Sequence, residues 1–266
     1  MTKKLERKVA VVIGGGGQGC GRAVAKLFAS ENACVLVADV NESGAAETAR
    51  AIESAGGRAA SMRADAGIES EVRAVFAFAE KSFGGTDVLV HTASQYFPDD
   101  PLKHWQESVQ TDFMGSVYAT LHGIEAMRRR GSGAIVHFGS TSALGHGRRH
   151  SPSPAYDAVK AALIRLTTTL SWTREKFNIR VNCIVPDWIG TPEVKAYCEA
   201  LSPEQRKERG VPGVLLTLDE IAASVLQLAT DESLAGRVLV CWCGQTPRLI
   251  PAGDPGYASL EDLPRI

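Results

Sequence analysis

Short runs of apolar, often β-branched residues alternate along the chain with longer stretches whose apolar positions recur every three or four residues. The runs are Val9–Ile13, Ala33–Ala38, Arg58–Arg63, Val88–His91, Ala134–Phe138, Arg180–Val185 and Arg237–Trp242. The helix-like stretches are Gly21–Ser30, Glu42–Ala55, Glu69–Phe83, Trp105–Arg129, Ala155–Phe177 and Leu218–Ala229. Strands that are apolar on both faces belong to a sheet covered on both sides. Strand–helix alternation makes that sheet parallel, and right-handed crossovers wind it in both directions. The pattern predicts an α/β chain with a doubly wound, seven-stranded parallel sheet. No linker, repeat or low-complexity tract interrupts residues 1–266, so a single domain is expected.

Two segments break the rhythm. Residues 190–213 are polar, flanked by proline and weakly helical, and they follow the sixth strand, where a lid would cover the carboxyl edge of the sheet. Residues 246–266 carry Pro247, Pro251, Pro255 and Pro264. That tail cannot be a regular helix and is expected to wrap a surface or a neighbouring subunit.

Composition narrows the partners. The chain is 44% hydrophobic and 22% charged, with a formal net charge of −1, which gives no basic face for nucleic acid or an anionic membrane. The apolar run after the basic Met1–Lys8 segment is too short to span a bilayer and has no cleavage-site pattern behind it. A cytoplasmic protein is expected. The six cysteines are irregularly spaced, which fits reduced, mostly buried thiols. Cys241-Trp-Cys243 has the wrong spacing for a metal or redox pair, and no metal site is expected.

Chemistry enters after the first strand, at Gly14-Gly15-Gly16-Gly17-Gln18-Gly19-Cys20-Gly21. Glycines let the backbone turn tightly against a pyrophosphate, and the following helix offers unpaired N–H groups and partial positive charge. A glycine run alone is also what a flexible loop looks like; the strand before it and the helix after it favour dinucleotide binding in a Rossmann-type fold. Asp39 ends the second strand, where an acid accepts hydrogen bonds from a ribose 2′-hydroxyl and repels a 2′-phosphate. Neither Val40 nor Asn41 is basic, so NAD(H) is expected rather than NADP(H). Helix capping does not explain Asp39, because Asn41 and Ser43 can cap the next helix.

Tyr156 and Lys160 lie one turn apart on a single helix face. A lysine ammonium beside a phenol stabilises the phenolate and brings its pKa down from about 10, toward the range a general acid or base needs. Ser140 follows the fifth strand, at the carboxyl edge where ligands of open α/β sheets bind.

These residues resemble the short-chain dehydrogenase/reductase family, over essentially the whole chain. The family's Thr-Gly-x3-Gly-x-Gly matches Gly14 to Gly21 with Gly14 in place of Thr, its Tyr-x3-Lys matches Tyr156 and Lys160, and its catalytic serine matches Ser140. The resemblance implies that Tyr156 exchanges the alcohol proton, that Ser140 hydrogen-bonds the substrate oxygen, and that Lys160 holds the nicotinamide ribose and tunes Tyr156. It also implies a cofactor site built from Gly15, Gln18, Gly19, Cys20, Gly21, Asp39, Val40, Asp65, Ala66, Thr92, Ala93, Tyr156, Lys160, Pro186, Trp188, Ile189 and Thr191. Asp65 stands where the family contacts adenine, and Asn182 to Pro186 with Thr191 resembles the stretch against nicotinamide.

The departures are specific. The family's Asn-Asn-Ala-Gly reads His91-Thr92-Ala93-Ser94, its Pro-Gly reads Pro186-Asp187, and its catalytic asparagine aligns with Asp112. An aspartate lacks the amide donor and adds charge near Lys160. Two readings stay open there: a Lys160–water–Asp112 relay, or impaired proton exchange. The stretch from Ser140 to Tyr156 is longer than usual in the family and carries His146, Arg148, Arg149 and His150, either as an anion-binding pocket mouth or as a solvated or subunit-contacting loop. Arg128, Arg129 and Arg130 end a helix, where positive charge complements the dipole. Ser94, Gln95, Tyr96, Ser142, His150, Asp187 and Trp188 are candidate pocket residues. Halohydrin-type lyases are set aside because Lys160 is not arginine, and enoyl reductases because they space the Tyr and Lys by six residues, whereas position 163 is leucine.

The reading is an NAD-dependent oxidoreductase moving hydride to or from a secondary alcohol or ketone. The alternative is a non-catalytic NAD(H)-binding sensor or scaffold. A homo-oligomer, a tetramer or dimer, is expected through Trp105–Arg129 and Ala155–Phe177.

Overall fold

The computed structural model describes residues 3–95, 103–144 and 153–253. The first half alternates β1 (Val9–Ile13), α1 (Cys20–Ser30), β2 (Cys34–Asp39), α2 (Glu42–Ser54), β3 (Arg58–Arg63), α3 (Glu69–Phe83) and β4 (Val88–His91). Then come α4 (Trp105–Ser108), a π-helical turn over Val109–Met114, α5 (Gly115–Arg130), β5 (Gly133–Phe138) and a 3-10 turn over Thr141–Leu144. The second half continues with α6 (Pro154–Thr169), α7 (Thr173–Phe177), β6 (Ile179–Pro186), α8 (Pro192–Glu199), α9 (Pro203–Glu208), α10 (Leu218–Thr230), β7 (Val238–Cys241) and β8 (Arg248–Leu249).

The strands form one sheet in the order β3-β2-β1-β4-β5-β6-β7-β8. Pairings from β3 through β7 are parallel, as the alternation predicts. The strand count differs: a two-residue β8 pairs antiparallel with β7, so the sheet has eight strands rather than seven. Its residues come from the proline-rich tail, where Arg248 sits between prolines and gives no apolar run to read. Residues 254–266 of that tail lie outside the described residues.

Side chains alternate across the sheet. Ala10, Val12, Val35, Val37, Val88 and Val90 face α1 and α10, whose Val24, Phe28, Ile221 and Val225 close that core. Val11, Ile13, Leu36 and Leu89 face α3 and α5, packing on Val72, Val75, Phe76 and Met127. Two covered faces explain why the central strands are apolar throughout.

Three helical expectations are revised. Trp105–Arg129 is continuously helical but not uniformly wound: a π turn widens it at Val109–Met114, where Asp112 is buried. Ala155–Phe177 breaks after Thr169, where Thr167, Thr168 and Thr169 turn their hydroxyls back on main-chain carbonyls. The 190–213 segment is more helical than its composition suggests. Thr191 caps α8, Ser202 and Gln205 form a capping box on α9, and each helix opens with proline. All six cysteines are unbonded, three of them buried and three half-buried. No helix among the described residues is long and apolar enough to cross a membrane.

Two histidines are sealed in this frame. His91 and His137 are register partners on β4 and β5. His137 lies between the hydroxyls of Thr120 and Thr167, at 2.8 and 3.0 Å, and His91 Nδ1 is 3.2 Å from Ser116 Oγ. Burial pushes His91 down to about 3, with His137 and Lys160 adding to the shift. Burial also pushes His137 down to about 4, again with Lys160 adding. Both lie below the ordinary 6.5, so the unfolded chain binds protons that the fold refuses. Stability is full above pH 6.5 and falls as pH drops toward 4, by about 1.4 kcal/mol per pH unit for each histidine. Urea unfolding between pH 4.5 and 6.5 should give a steeper loss for the native chain than for His137→Asn, by about that slope; equal slopes would contradict the buried neutral histidine.

Candidate functional site

The glycine loop sits where the strand order reverses, between β1 and β4. Gly14 takes φ +95°, and a Cβ there would run into the Ala93 amide, so this turn demands glycine. Thr92 closes the crossing: its N–H donates to Ile13 O at 2.8 Å and its hydroxyl reaches Gly14 O at 3.0 Å. Gly21 passes directly over the Gly14 carbonyl, which brings α1 against the end of β1. No side chain caps the N-terminus of α1, whereas Asn41 caps α2. The N–H groups and partial positive charge of the α1 N-terminus therefore face the loop, where a Cβ on Gly17 or Gly19 would meet nothing closer than 3.9 Å.

Asp39 closes the other side. Its carboxylate accepts from Gly16 N at 2.7 Å and from Asn41 N at 2.8 Å, which leaves lone pairs for further donors. Capping of α2 falls to Asn41, which accepts from Gly44 N, as the sequence allowed. Val40 beyond it is exposed. Two supports of the loop went unread in the sequence. Buried Thr48 donates to Gly15 O at 2.8 Å, and Gly44 lets α2 approach the Gly16 carbonyl so closely that a Cβ would collide with it. A glycine inside the first turn of a helix was the available sign. Asp65, beyond β3, accepts from Gly67 N at 2.8 Å and neighbours the buried Ala66.

A second group gathers at the carboxyl ends of β5, β6 and β7. Ser140 Oγ accepts from both Ser142 N and Ser142 Oγ, at 3.2 and 2.9 Å. Asp187 ties three strand ends together: it accepts from the Thr141 hydroxyl at 3.1 Å and from Cys243 N at 3.4 Å, while its own N–H donates to Cys241 O at 2.9 Å. Pro186 ends β6, and Trp188 stacks on Tyr197 of α8 with ring centroids 6.2 Å apart. Arg209 donates to the Tyr197 hydroxyl at 2.5 Å. Ile189 bridges Leu216, and Thr191 accepts from Val194 N. Asn182 faces inward instead, donating to Leu228 O and Leu234 O and accepting from Arg237 N. Tyr96, His146, Arg148, Arg149 and His150 lie outside the described residues.

Tyr156 and Lys160 share one side of α6, with Lys160 Nζ 5.1 Å from the centroid of the Tyr156 ring. Lys160 is buried, and its ammonium lies 3.7 Å from Asp112 Oδ2. Asp112 is fully buried; it accepts from the Ser94 hydroxyl in a short hydrogen bond and from Gln95 N at 2.9 Å. Burial raises the Asp112 pKa above the ordinary carboxyl value, opposed by Lys160, Ser94 and Gln95. The Ser94 hydroxyl, expected as a pocket group, is thus engaged with Asp112. Gln18, Gly19, Cys20 and Ala93 lie around the loop, and burial pushes the Cys20 thiol up to about 11, which keeps it neutral. Among the described residues no cluster of His, Cys, Asp and Glu could hold a metal.

Comparison with known proteins places this geometry. A family model described as enoyl-(acyl carrier protein) reductase matches residues 15–245. A cis-4-hydroxycyclohexanecarboxylate dehydrogenase from Sinomonas cyclohexanicum is 33% identical over 92% of this chain and 99% of its own. A 3beta-hydroxysteroid dehydrogenase from Eggerthella lenta is 33% identical over 84% and 87%. Among solved structures, a short-chain dehydrogenase/reductase from Burkholderia xenovorans superposes with a TM-score of 0.80 at 25% identity, covering 90% of this chain and 96% of that one.

The close approach of α2 to the loop yields a test. Gly44→Ala forces a Cβ against the Gly16 carbonyl and should lower stability by about 1–3 kcal/mol, visible as a reduced Tm. Gly213→Ala, whose Cβ would meet nothing within 4 Å, is the control and should not move it.

Proposed function

The chain is an oxidoreductase of the short-chain dehydrogenase/reductase family, and from that premise we propose that it is NAD-dependent and interconverts a secondary alcohol and a ketone. Bound NAD(H) supplies the hydride acceptor or donor. Gly15, Gln18, Gly19, Cys20, Gly21, Thr92 and Ala93 hold the dinucleotide's central part, with the uncapped α1 N-terminus as the anion site. Asp65, Ala66 and Val40 flank the adenine end, and Pro186, Trp188, Ile189 and Thr191 flank nicotinamide.

The observation that carries the reading is that Tyr156 and Lys160 share one side of α6, with Lys160 Nζ 5.1 Å from the centroid of the Tyr156 ring. Ser140 Oγ accepts from Ser142 N at 3.2 Å, and its rotatable hydroxyl can donate to a substrate oxygen. Tyr156 gives that oxygen its proton in ketone reduction and takes it in alcohol oxidation, with the Lys160 ammonium stabilising the phenolate. Ser142, Asp187 and Trp188 are the described side chains we assign to the substrate pocket, beside a lid at 190–213. The two dehydrogenase relatives point the same way, since both are named for a hydroxylated ring compound.

Asp39 supports NAD over NADP, because its carboxylate would face a 2′-phosphate with no basic residue at 40 or 41. We place the protein in the cytoplasm as a single-domain chain that assembles as a homotetramer or dimer. Leu121 on α5 and Trp172 after α6 are exposed apolar groups suited to a second copy.

Steady-state turnover across cyclic and acyclic secondary alcohols tests the reading. NAD should outperform NADP in kcat/KM, and Tyr156→Phe should lose about a hundredfold or more. Full activity in that variant would reject the role of Tyr156. NADH binding by calorimetry with no turnover on any alcohol or ketone would favour the non-catalytic alternative.

A further inference from the structure

The buried network around Lys160 holds many titratable groups and very few charges. The Lys160 charge acts on Cys20 of α1, His91 of β4, His137 of β5 and Cys183 of β6. Burial keeps each of these neutral, pushing Cys183 up to about 12 and the histidines far down. Among the described residues of this network the buried charged side chains are Lys160 and Asp112 alone. Asp112 is fixed beside Lys160 by the Ser94 hydroxyl and the Gln95 amide, on a π turn that points it inward. Its main-chain carbonyl accepts from Ser116 at 2.7 Å, so both ends of the residue are held.

We propose that Asp112 is the counter-ion of Lys160 and, through it, the residue that sets how acidic the Tyr156 phenol is. An ammonium alone would favour the phenolate strongly. A carboxylate 3.7 Å from that ammonium cancels much of its field at the phenol, so Tyr156 keeps its proton to higher pH than a neutral residue at 112 would allow. The pair is also charge-neutral, which is the form in which two ions are tolerated in an enclosed site. Asp112 acts through Lys160 and is therefore a positioning residue.

Several other titratable groups lie on the elements packed against Asp112. Glu107 on α4 is exposed and pairs with His104 at 3.7 Å, α5 carries Tyr118, His122, Glu125, Arg128, Arg129 and Arg130, and α6 carries Asp157 and Arg165. None of them is buried with the ion pair.

The proposal rests on the Tyr156–Lys160 reading of the site, and its test is chosen to need no turnover. The full-length chain is titrated by near-ultraviolet difference spectroscopy, with Tyr156→Phe as the subtraction that isolates one phenol among the five tyrosines. In Asp112→Asn the Tyr156 pKa should fall by at least about one unit, the effect of removing a unit charge within about 10 Å at an effective dielectric near 20. Ser94→Ala, which keeps the charge, should move it less than half as far. Asp112→Ser serves as the neutral variant should the amide fail to fold. A phenol that titrates unchanged in a folded neutral variant overturns the proposal, and so does an equal shift in Ser94→Ala. Separately, undiminished turnover by Tyr156→Phe would end the catalytic reading while leaving the titration result to stand on its own.

Discussion

Enclosing an ammonium group in a protein interior is costly without an anion beside it, and the pairing of Lys160 with Asp112 is the contact on which the carboxyl edge converges. Three separate pieces of chain meet on it: α6 brings Lys160, the π turn brings Asp112, and the loop after β4 brings Ser94 and Gln95. The two hydrogen bonds to the carboxylate supply what water would otherwise provide. Removing one charge would leave the other buried and uncompensated, a loss of about 3–5 kcal/mol. The π turn over Val109–Met114 carries the buried Asp112 of this pair.

The remaining parts of the edge are fixed by ties between strand ends. Thr92 and Gly14 lock β4 to β1 at the reversal of strand order, and Asp187 locks the ends of β5, β6 and β7. Ser140 lies inside the second tie, so its orientation follows from the same backbone contacts that hold the sheet edge together. Where the family pattern has glycine after proline, this chain spends a carboxylate on that tie. Thr48 and Gly44 do the equivalent work behind the glycine loop, from α2. Rigid strand ends and one deep ion pair thus determine where each chemical group can point.

Much of the fold was readable because a sheet covered on both faces writes itself as apolar runs. Val9–Ile13 and Val88–His91 match their strands residue for residue. The eighth strand was unreadable because two residues between prolines have no periodicity. The interruption at Val109–Met114 has no local signal in the sequence, and the partners of its buried Asp112, which are Ser94, Gln95 and Lys160, are distant along the chain. The helices α8 and α9 had local signals, Thr191-Pro192 and Ser202-Pro203, that composition overrode. In the site, spacing alone pairs Tyr156 with Lys160 and marks Asp39 and the glycines. The engagement of Ser94 with Asp112 is a tertiary contact between two departures from the family pattern, and no single position announces it.

The most direct test of the account is a crystal structure of the chain with NAD and a competitive alcohol analogue. The account predicts the adenosine ribose on Asp39, and the analogue's oxygen within hydrogen-bond reach, about 2.6–3.2 Å, of both Ser140 Oγ and Tyr156 Oη, beside the nicotinamide. Density showing those two oxygens separated by more than a water's breadth with cofactor bound, or the dinucleotide seated away from the glycine loop, would contradict it.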